Sequence, residues 1–522
     1  MKKIDLKPSG IISILEYAAL VISGCIFVLV SASWTSPLFP EMYGYDSAWY
    51  SMMGRAITEG CVPYRDYFDL KGPVFFFIEA IGQALIKGRN GIFLIECIAS
   101  ALSSVFIYRS ARLFLSRVRS FVILFIYYFV YVFLLWGGNT CEEYMMTFDF
   151  ACIYLFLHFI KGFREDKDTE NAPAYAFFFG LSFGIMALSK ITVAAPVLAA
   201  TVTVIFLLIK EKRAGIIPRL ALMFFFGMMF IAVPVCLYFV FHGAFKDFLY
   251  CAFEFAFKRS TDYYESFSLE WERNLSICIA GLITGLLLKR EEALCAYRRI
   301  FLMTLSVITY LALHLGTPYT YYFITELPVL VMLLIEAMDY IDPLIEGTLT
   351  HNPIPPALAD EPEKEILDKK LRAKSLYSLL VTQALICMIL FMYAVPVYDK
   401  LSENLMYFRY PGDSYFEGCI DTWEFIPFYE REEVYNLESG MIIYEINKAL
   451  PANKYPVNLP YFLHLDPAIK QNVLAYLEVK KPKWIISEKM EDFDDEDIRD
   501  FVFTNYELKR QTNSHEIYRI RK

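Results

Sequence analysis

Along most of the first 395 residues the apolar side chains come in long blocks rather than in the alternating or one-faced patterns of soluble elements. A span needs roughly 20 mostly apolar residues. By that rule eleven blocks predict membrane-crossing helices: 11–33, 91–115, 121–136, 145–160, 175–188, 192–209, 220–241, 275–288, 300–315, 322–338 and 375–395. A further run, 75–86, is apolar but short and carries Glu79, which predicts a helix lying at the interface or re-entering. From residue 396 the pattern changes: the tail is polar, has an acidic patch at 491–497, and holds no further block. Within it, 466–477 (DPAIKQNVLAYL) repeats at the helical period, while 484–487 and 515–520 read as strands. The pattern therefore predicts an all-α polytopic membrane domain over 1–395, followed by a small α/β domain over 396–522.

Charge placement orients the blocks. Basic clusters fall at Lys2/Lys3/Lys7, Arg117/Arg119, Lys161/Arg164/Lys167, Lys210/Lys212/Arg213/Arg219 and Lys289/Arg290/Arg298/Arg299. With eleven spans and a cytoplasmic N-terminus every cluster lands in the cytoplasm, as the positive-inside rule requires. The mixed segment 339–374, with its HNPIPP turn, becomes a cytoplasmic linker, and the first long loop (34–90) and the tail face outward. The first block lacks a small-residue cleavage site and is taken as a retained span.

Composition agrees with a membrane protein. Of 522 residues 57% are hydrophobic, against 20% charged, and aromatics reach 17%. No basic domain or aromatic-basic platform is present, so nucleic-acid binding is not expected. The 11 cysteines lie mostly inside apolar runs and the 6 histidines are scattered, with no metal-binding spacing. No P-loop, dinucleotide fingerprint or nucleophile elbow occurs in useful context. No internal repeat of the inverted-transporter kind stands out.

Candidate chemistry concentrates in 43–73, YGYDSAWYSMMGRAITEGCVPYRDYFDLKGP. Asp46 suits two roles: a general base at the outer membrane face, or the N-cap of a helix starting at Ser47. Lys71 is either a cation for a phosphate or a snorkelling lysine at the loop's end. Tyr45, Arg55, Tyr64 and Asp66 in the same loop are candidate substrate-lining residues. In the next outward loop Glu142 and Glu143 supply a second acid, although Thr140-x-x-Glu143 is also a capping box. Lys190, in the tight LSKI hairpin, sits near membrane depth, where a charge costs about 2.5–3.5 kcal/mol on insertion scales. Arg259, beside Lys258 in an aromatic loop, offers another phosphate-binding cation. Tyr321 and Tyr322, with Tyr319 and near His314, form an outward aromatic cluster, whose bland explanation is an interfacial belt.

These residues resemble a known superfamily, the GT-C membrane glycosyltransferases. The likeness is greatest to the branch holding protein O-mannosyltransferases and the lipid A aminoarabinose transferase. It rests on Tyr45–Asp46, on EGCVPYRDYFDLKGP (59–73), on CEEY (141–144), on Ser189–Lys190 and on YTYYFITELP (319–328). The resemblance implies transfer of a sugar from a polyprenyl-phosphate donor to a hydroxyl of an envelope glycan, lipid or protein, at the outer face of a bacterial plasma membrane. Carried over, Asp46 is the catalytic acid of the first loop, Lys71 contacts the donor phosphate, and Glu142 or Glu143 is the second acid. Relatives of the aminoarabinose type use histidines for a metal, and this chain has no clear counterparts. No cofactor is implied; a divalent cation on Asp46 and a glutamate is the one metal arrangement left open. From other classes, a transporter or flippase would instead string charges along mid-span positions, and a polymerase or ligase would carry its basic residues in a large late loop.

Overall fold

The structure is a computed structural model describing residues 8–163, 171–258, 275–288, 293–314, 319–349, 362–410, 412–437, 440–456 and 459–522. Each apolar block is a helix. In chain order α1 spans Pro8–Ser31, α2 Tyr45–Thr58, α3 Pro73–Leu85, α4 Arg89–Arg112, α5 Arg117–Leu134, α6 Cys141–Phe163, α7 Ala172–Ala187, α8 Ala195–Lys210 and α9 Ile217–Phe241. The remaining bundle helices are Ser276–Leu287, Ala293–Leu313, Leu327–Leu349 and Pro362–Arg409.

Among the described residues nine helices are long and apolar enough to cross a membrane, which makes this a multi-pass membrane protein. The other two expected spans, α7 and Ser276–Leu287, are apolar helices of 16 and 12 residues. At about 1.5 Å rise per residue neither matches a hydrocarbon core of about 30 Å. The short run with Glu79 is α3, again too short to span.

The first long loop is largely helical. α2 lies against α3, and both sit on the end of the bundle where α1 finishes and α4 begins. Proline at the first turn of α3 presets its backbone. α2 is polar by composition, yet Trp49, Tyr50, Met52 and Met53 are all buried.

The last bundle helix does not stop where its apolar block does. Pro362–Arg409 runs through Pro396 and continues fourteen residues past the expected boundary at 395. Hydropathy marks where lipid ends, not where a helix ends. The expected linker 339–374 is likewise helical at both edges, to Leu349 and from Pro362; the HNPIPP turn lies outside the described residues.

Beyond Arg409 the chain folds as an α/β unit with a four-stranded sheet, order β1-β2-β4-β3. β1 (Val434–Asn436) pairs parallel with β2 (Trp484–Ser487), while β4 (Glu516–Ile520) runs antiparallel to both β2 and β3 (Tyr506–Gln511). β2 is buried throughout. β3 is an edge strand carrying Glu507, Lys509 and Arg510, charges that discourage pairing with another chain. The expected helix is Pro467–Lys480, capped by Asp466, whose side chain accepts from the Ala468 N–H.

This unit is docked on the first loop. The Phe68 N–H donates to the Lys454 carbonyl at 2.7 Å, and the Tyr67 hydroxyl donates to that of Pro451 at 2.9 Å. The Phe68 ring packs on Tyr455 and Phe462, and Tyr43 stacks on Phe416. The loop is thereby held between bundle and tail.

Candidate active site

α2 begins at Tyr45, with Gly44 as its N-cap and no side-chain cap bond. The capping role considered for Asp46 is thus not what the fold uses. Asp46 lies within the first turn, where a carboxylate is favoured by the helix dipole. Its Oδ2 accepts from the Tyr321 hydroxyl at 3.2 Å. Tyr321 belongs to the 3₁₀ segment Thr320–Glu326, about two turns long, that opens the helix Leu327–Leu349, and its ring meets Tyr322 edge-on at 4.8 Å.

Lys190 lies over the Tyr322 ring, 3.0 Å from its centroid, and pairs with Glu142 at the start of α6. Glu142 is 1% exposed, while Lys190 is half-buried. One turn along α2 from Asp46, the Tyr50 ring carries the Lys71 ammonium 4.4 Å from its centroid. Asp46, Tyr321, Tyr322, Lys190, Glu142, Tyr50 and Lys71 therefore form one contiguous cluster at one end of the bundle.

Backbone contacts bring the two lysines together. The Gly72 N–H donates to the Ser189 carbonyl at 2.9 Å, and the Val74 N–H to that of Leu188 at 3.0 Å. A Cβ at residue 72 would lie 2.2 Å from the Leu188 carbonyl carbon and oxygen, so only glycine fits. Asp69 steadies this segment. It accepts from the Trp49 indole at 2.5 Å and from the Lys71 N–H at 2.6 Å. The Tyr64 hydroxyl donates to the Lys71 carbonyl at 2.6 Å.

Tyr50 is not among the site residues expected from the sequence. Its i,i+4 spacing from Asp46 was the available signal, since both then share a helix face. Its hydroxyl is buried and has no hydrogen-bond partner among the described residues. Burial, then the nearby Asp46, Tyr321, Asp69 and Glu142, pushes its pKa well above that of free tyrosine. It keeps its proton and stands as a hydrogen-bond donor inside the cluster.

Several expected site residues are elsewhere. Arg55 is buried and bound to the tail, 3.4 Å from Glu445 and donating to the Tyr444 and Ala449 carbonyls. Tyr64 is fully buried among Phe76, Phe239 and Phe248 and reaches the cluster only through the Lys71 carbonyl. Asp66 closes its own turn, accepting from the Val62 N–H and pairing with Arg65. Burial raises its pKa, but those two contacts outweigh it and hold the carboxyl below its usual range. Tyr45 turns away from Asp46, its ring edge-on to Tyr415 of the tail at 6.0 Å. Arg259 lies outside the described residues. Lys258 pairs with Glu254 and Asp466 rather than with the cluster.

The two glutamates take different partners. Glu142 faces Lys190, whereas Glu143 accepts from the Asn139 N–H at 2.9 Å. The capping box is half made, with the Thr140 hydroxyl unpartnered among the described residues. The donor set does not fit a cation shared by Asp46 and a glutamate. Lys190 pairs with Glu142 through Oε1, and among the described residues no three His, Cys, Asp or Glu side chains group as metal ligands.

Residues 70–239 match the family model described as dolichyl-phosphate-mannose-protein mannosyltransferase. The match takes in Lys71, Glu142 and Lys190 and leaves out Asp46. No curated protein matches the chain in sequence. In three dimensions the chain is similar to ArnT from Cupriavidus metallidurans. Against the crystal structure bound to undecaprenyl phosphate the TM-score is 0.57 at 13% identity, covering 97% of both chains. Against the apo structure it is 0.57 at 11% identity, covering 98% of both. The fold, bundle and tail together, is therefore that of ArnT.

Proposed function

We propose that the protein transfers a sugar from a polyprenyl-phosphate donor to an acceptor hydroxyl at the outer face of the membrane. The observation that carries this reading is the cluster itself: one carboxylate, Asp46, set beside two lysines on abutting backbone segments, in a fold shared with an enzyme crystallised with undecaprenyl phosphate.

In this reading Asp46 takes the proton from the acceptor hydroxyl as its oxygen attacks the anomeric carbon. The bond from that carbon to the phosphate oxygen breaks, and polyprenyl phosphate leaves with the electron pair. Lys71 and Lys190 stabilise the charge that grows on it, and Tyr50 donates a hydrogen bond into the same space. A single displacement inverts the anomeric centre. Glu142 holds Lys190 in place over Tyr322. No step uses a metal. The topology that supports the chemistry has the N-terminus in the cytoplasm and the tail outside, with the acceptor drawn from envelope glycans, glycolipids or proteins.

The test supplies purified protein in lipid with a polyprenyl-phosphate hexose and an acceptor extract. Wild type is expected to transfer the sugar covalently, and Asp46→Asn to lose about 10²–10⁴-fold, the usual worth of a general base. Undiminished transfer by Asp46→Asn would remove the proposed base. Movement of the donor across the bilayer with no covalent transfer would instead make the protein a flippase.

A further inference from the structure

The second outward loop holds a buried polar assembly that the reaction above does not use. Its centre is Asn139, fully buried, with φ +57°, a left-handed conformation that asparagine tolerates better than most residues. Its N–H is shared by two carboxylates, Glu96 Oε1 at 2.5 Å and Glu143 Oε2 at 2.9 Å. Its side-chain oxygen accepts from the Tyr144 hydroxyl at 2.7 Å. Its side-chain nitrogen donates to Ser47, to the hydroxyl at 3.1 Å and to the carbonyl at 3.3 Å. Ser47 is the residue that follows Asp46.

Every polar side-chain atom of Asn139 is thus committed, and the last link ends beside the proposed base. The two glutamates come from different helices, α4 and α6, and are 0% and 4% exposed. Neither forms an ion pair with a described residue; the second oxygen of Glu96 accepts from the Thr35 hydroxyl. Two buried carboxyl groups converging on one N–H with no bonded cation repel unless one proton lies between them. The turn is shaped for this contact: Gly138 has φ +93°, and a Cβ there would lie 2.7 Å from Glu96 Oε1.

We propose that Glu96 and Glu143 are positioning residues: as a proton-sharing pair they clamp the Asn139 amide, and Asn139 seats Ser47 and so fixes the direction of Asp46. This rests on the sugar-transfer reading for its kinetic consequence, though not for the clamp itself. Glutamine at either acid is a close substitute for the protonated partner, because its amide accepts from the Asn139 N–H and donates to the remaining carboxylate. Leucine keeps the volume and removes the bond.

The experiment compares Glu143→Gln, Glu96→Gln, Glu143→Leu and Asn139→Ala by sugar-transfer kinetics and by amide hydrogen exchange of the peptide over residues 44–53. Both Gln variants are expected within about 3-fold of wild type. Glu143→Leu and Asn139→Ala are expected to lower kcat by about 10–100-fold with donor KM within about 3-fold, since an ångström-scale misplacement of a reacting group costs that much. Exchange in the 44–53 peptide should rise in those two variants alone. If Glu143→Leu does not accumulate, Asn139→Ala carries the same comparison. Loss of transfer in Glu143→Gln with unchanged exchange would make Glu143 a reacting acid and overturn the proposal. Unchanged kcat and exchange in Asn139→Ala would also overturn it. If wild type transfers no sugar the function reading fails, and the exchange comparison still decides the clamp.

Discussion

Tyr50 and Lys71 separate two things a buried polar residue can do. The Tyr50 hydroxyl has no partner among the described residues, and such a group costs about 1–3 kcal/mol. Tyr50→Phe is therefore expected to raise the thermal unfolding temperature while lowering kcat by roughly 10-fold. Calorimetry and transfer kinetics on the same preparation check both signs. A fall in both would make the residue structural. Lys71 acts on charge rather than geometry, so Lys71→Ala is expected to raise donor KM by about 10–100-fold, the worth of one charge-assisted hydrogen bond at 1.5–3 kcal/mol. Unchanged donor affinity would take the phosphate away from it. Glu142 shows why side chains are harder to read than blocks. Consecutive helix residues point about 100° apart, so CEEY had to send its two acids in different directions. Which one met a lysine depended on a hairpin 48 residues downstream.

Elements were far more legible than contacts. All eleven apolar blocks are helices, and 466–477, 484–487 and 515–520 took the forms their periodicities implied, because lipid and a sheet core each impose a repeat on a continuous stretch. The start of α2 was missed by two residues, since Asp at that position satisfies the sequence rule for a cap while Gly44 takes the place. The end of the last bundle helix was missed because its polar continuation lies beyond lipid. Asp46, Lys71 and Lys190 were legible as chemistry on one membrane face, but the contact that joins the two lysines' segments was not, as it depends on Gly72 meeting Leu188. That contact is testable alone. Gly72→Ala puts a methyl into backbone that cannot yield, an overpacking cost of about 1–3 kcal/mol. It is expected to lower stability and to abolish transfer by parting Lys71 from Lys190. A stable Gly72→Ala protein with full activity would show that the two segments need not touch.

At the scale of the whole molecule the tail is a wall of the first loop rather than an appendage, and this makes the loop sensitive to the tail's own stability. Glu445 joins the two, paired with Arg55 and accepting from the Ser51 hydroxyl at 2.9 Å. Near the other end of α2, Tyr45 abuts Tyr415, whose ring is 5.9 Å from His515. His515 is 1% exposed, and burial pushes its pKa down to about 4. The unfolded chain protonates this ring near 6.5, whereas the folded one stays neutral until about 4. Between those values the unfolded state binds more protons, so folding of the tail weakens as pH falls through that window. At the lower limit the loss approaches about 3 kcal/mol, at 1.36 kcal/mol per pKa unit. Hydrogen exchange of peptides from β2 and β4, taken from pH 7 to pH 4.5 and corrected for intrinsic rate, should show this weakening. The peptides carrying Tyr45 and Phe68 should loosen with them, because they bear on the tail. His515→Gln, which does not titrate, should flatten the dependence. An equal pH slope in that variant would assign the effect to another group, and a first loop that kept its protection while the tail lost it would show that α2 stands on the bundle alone.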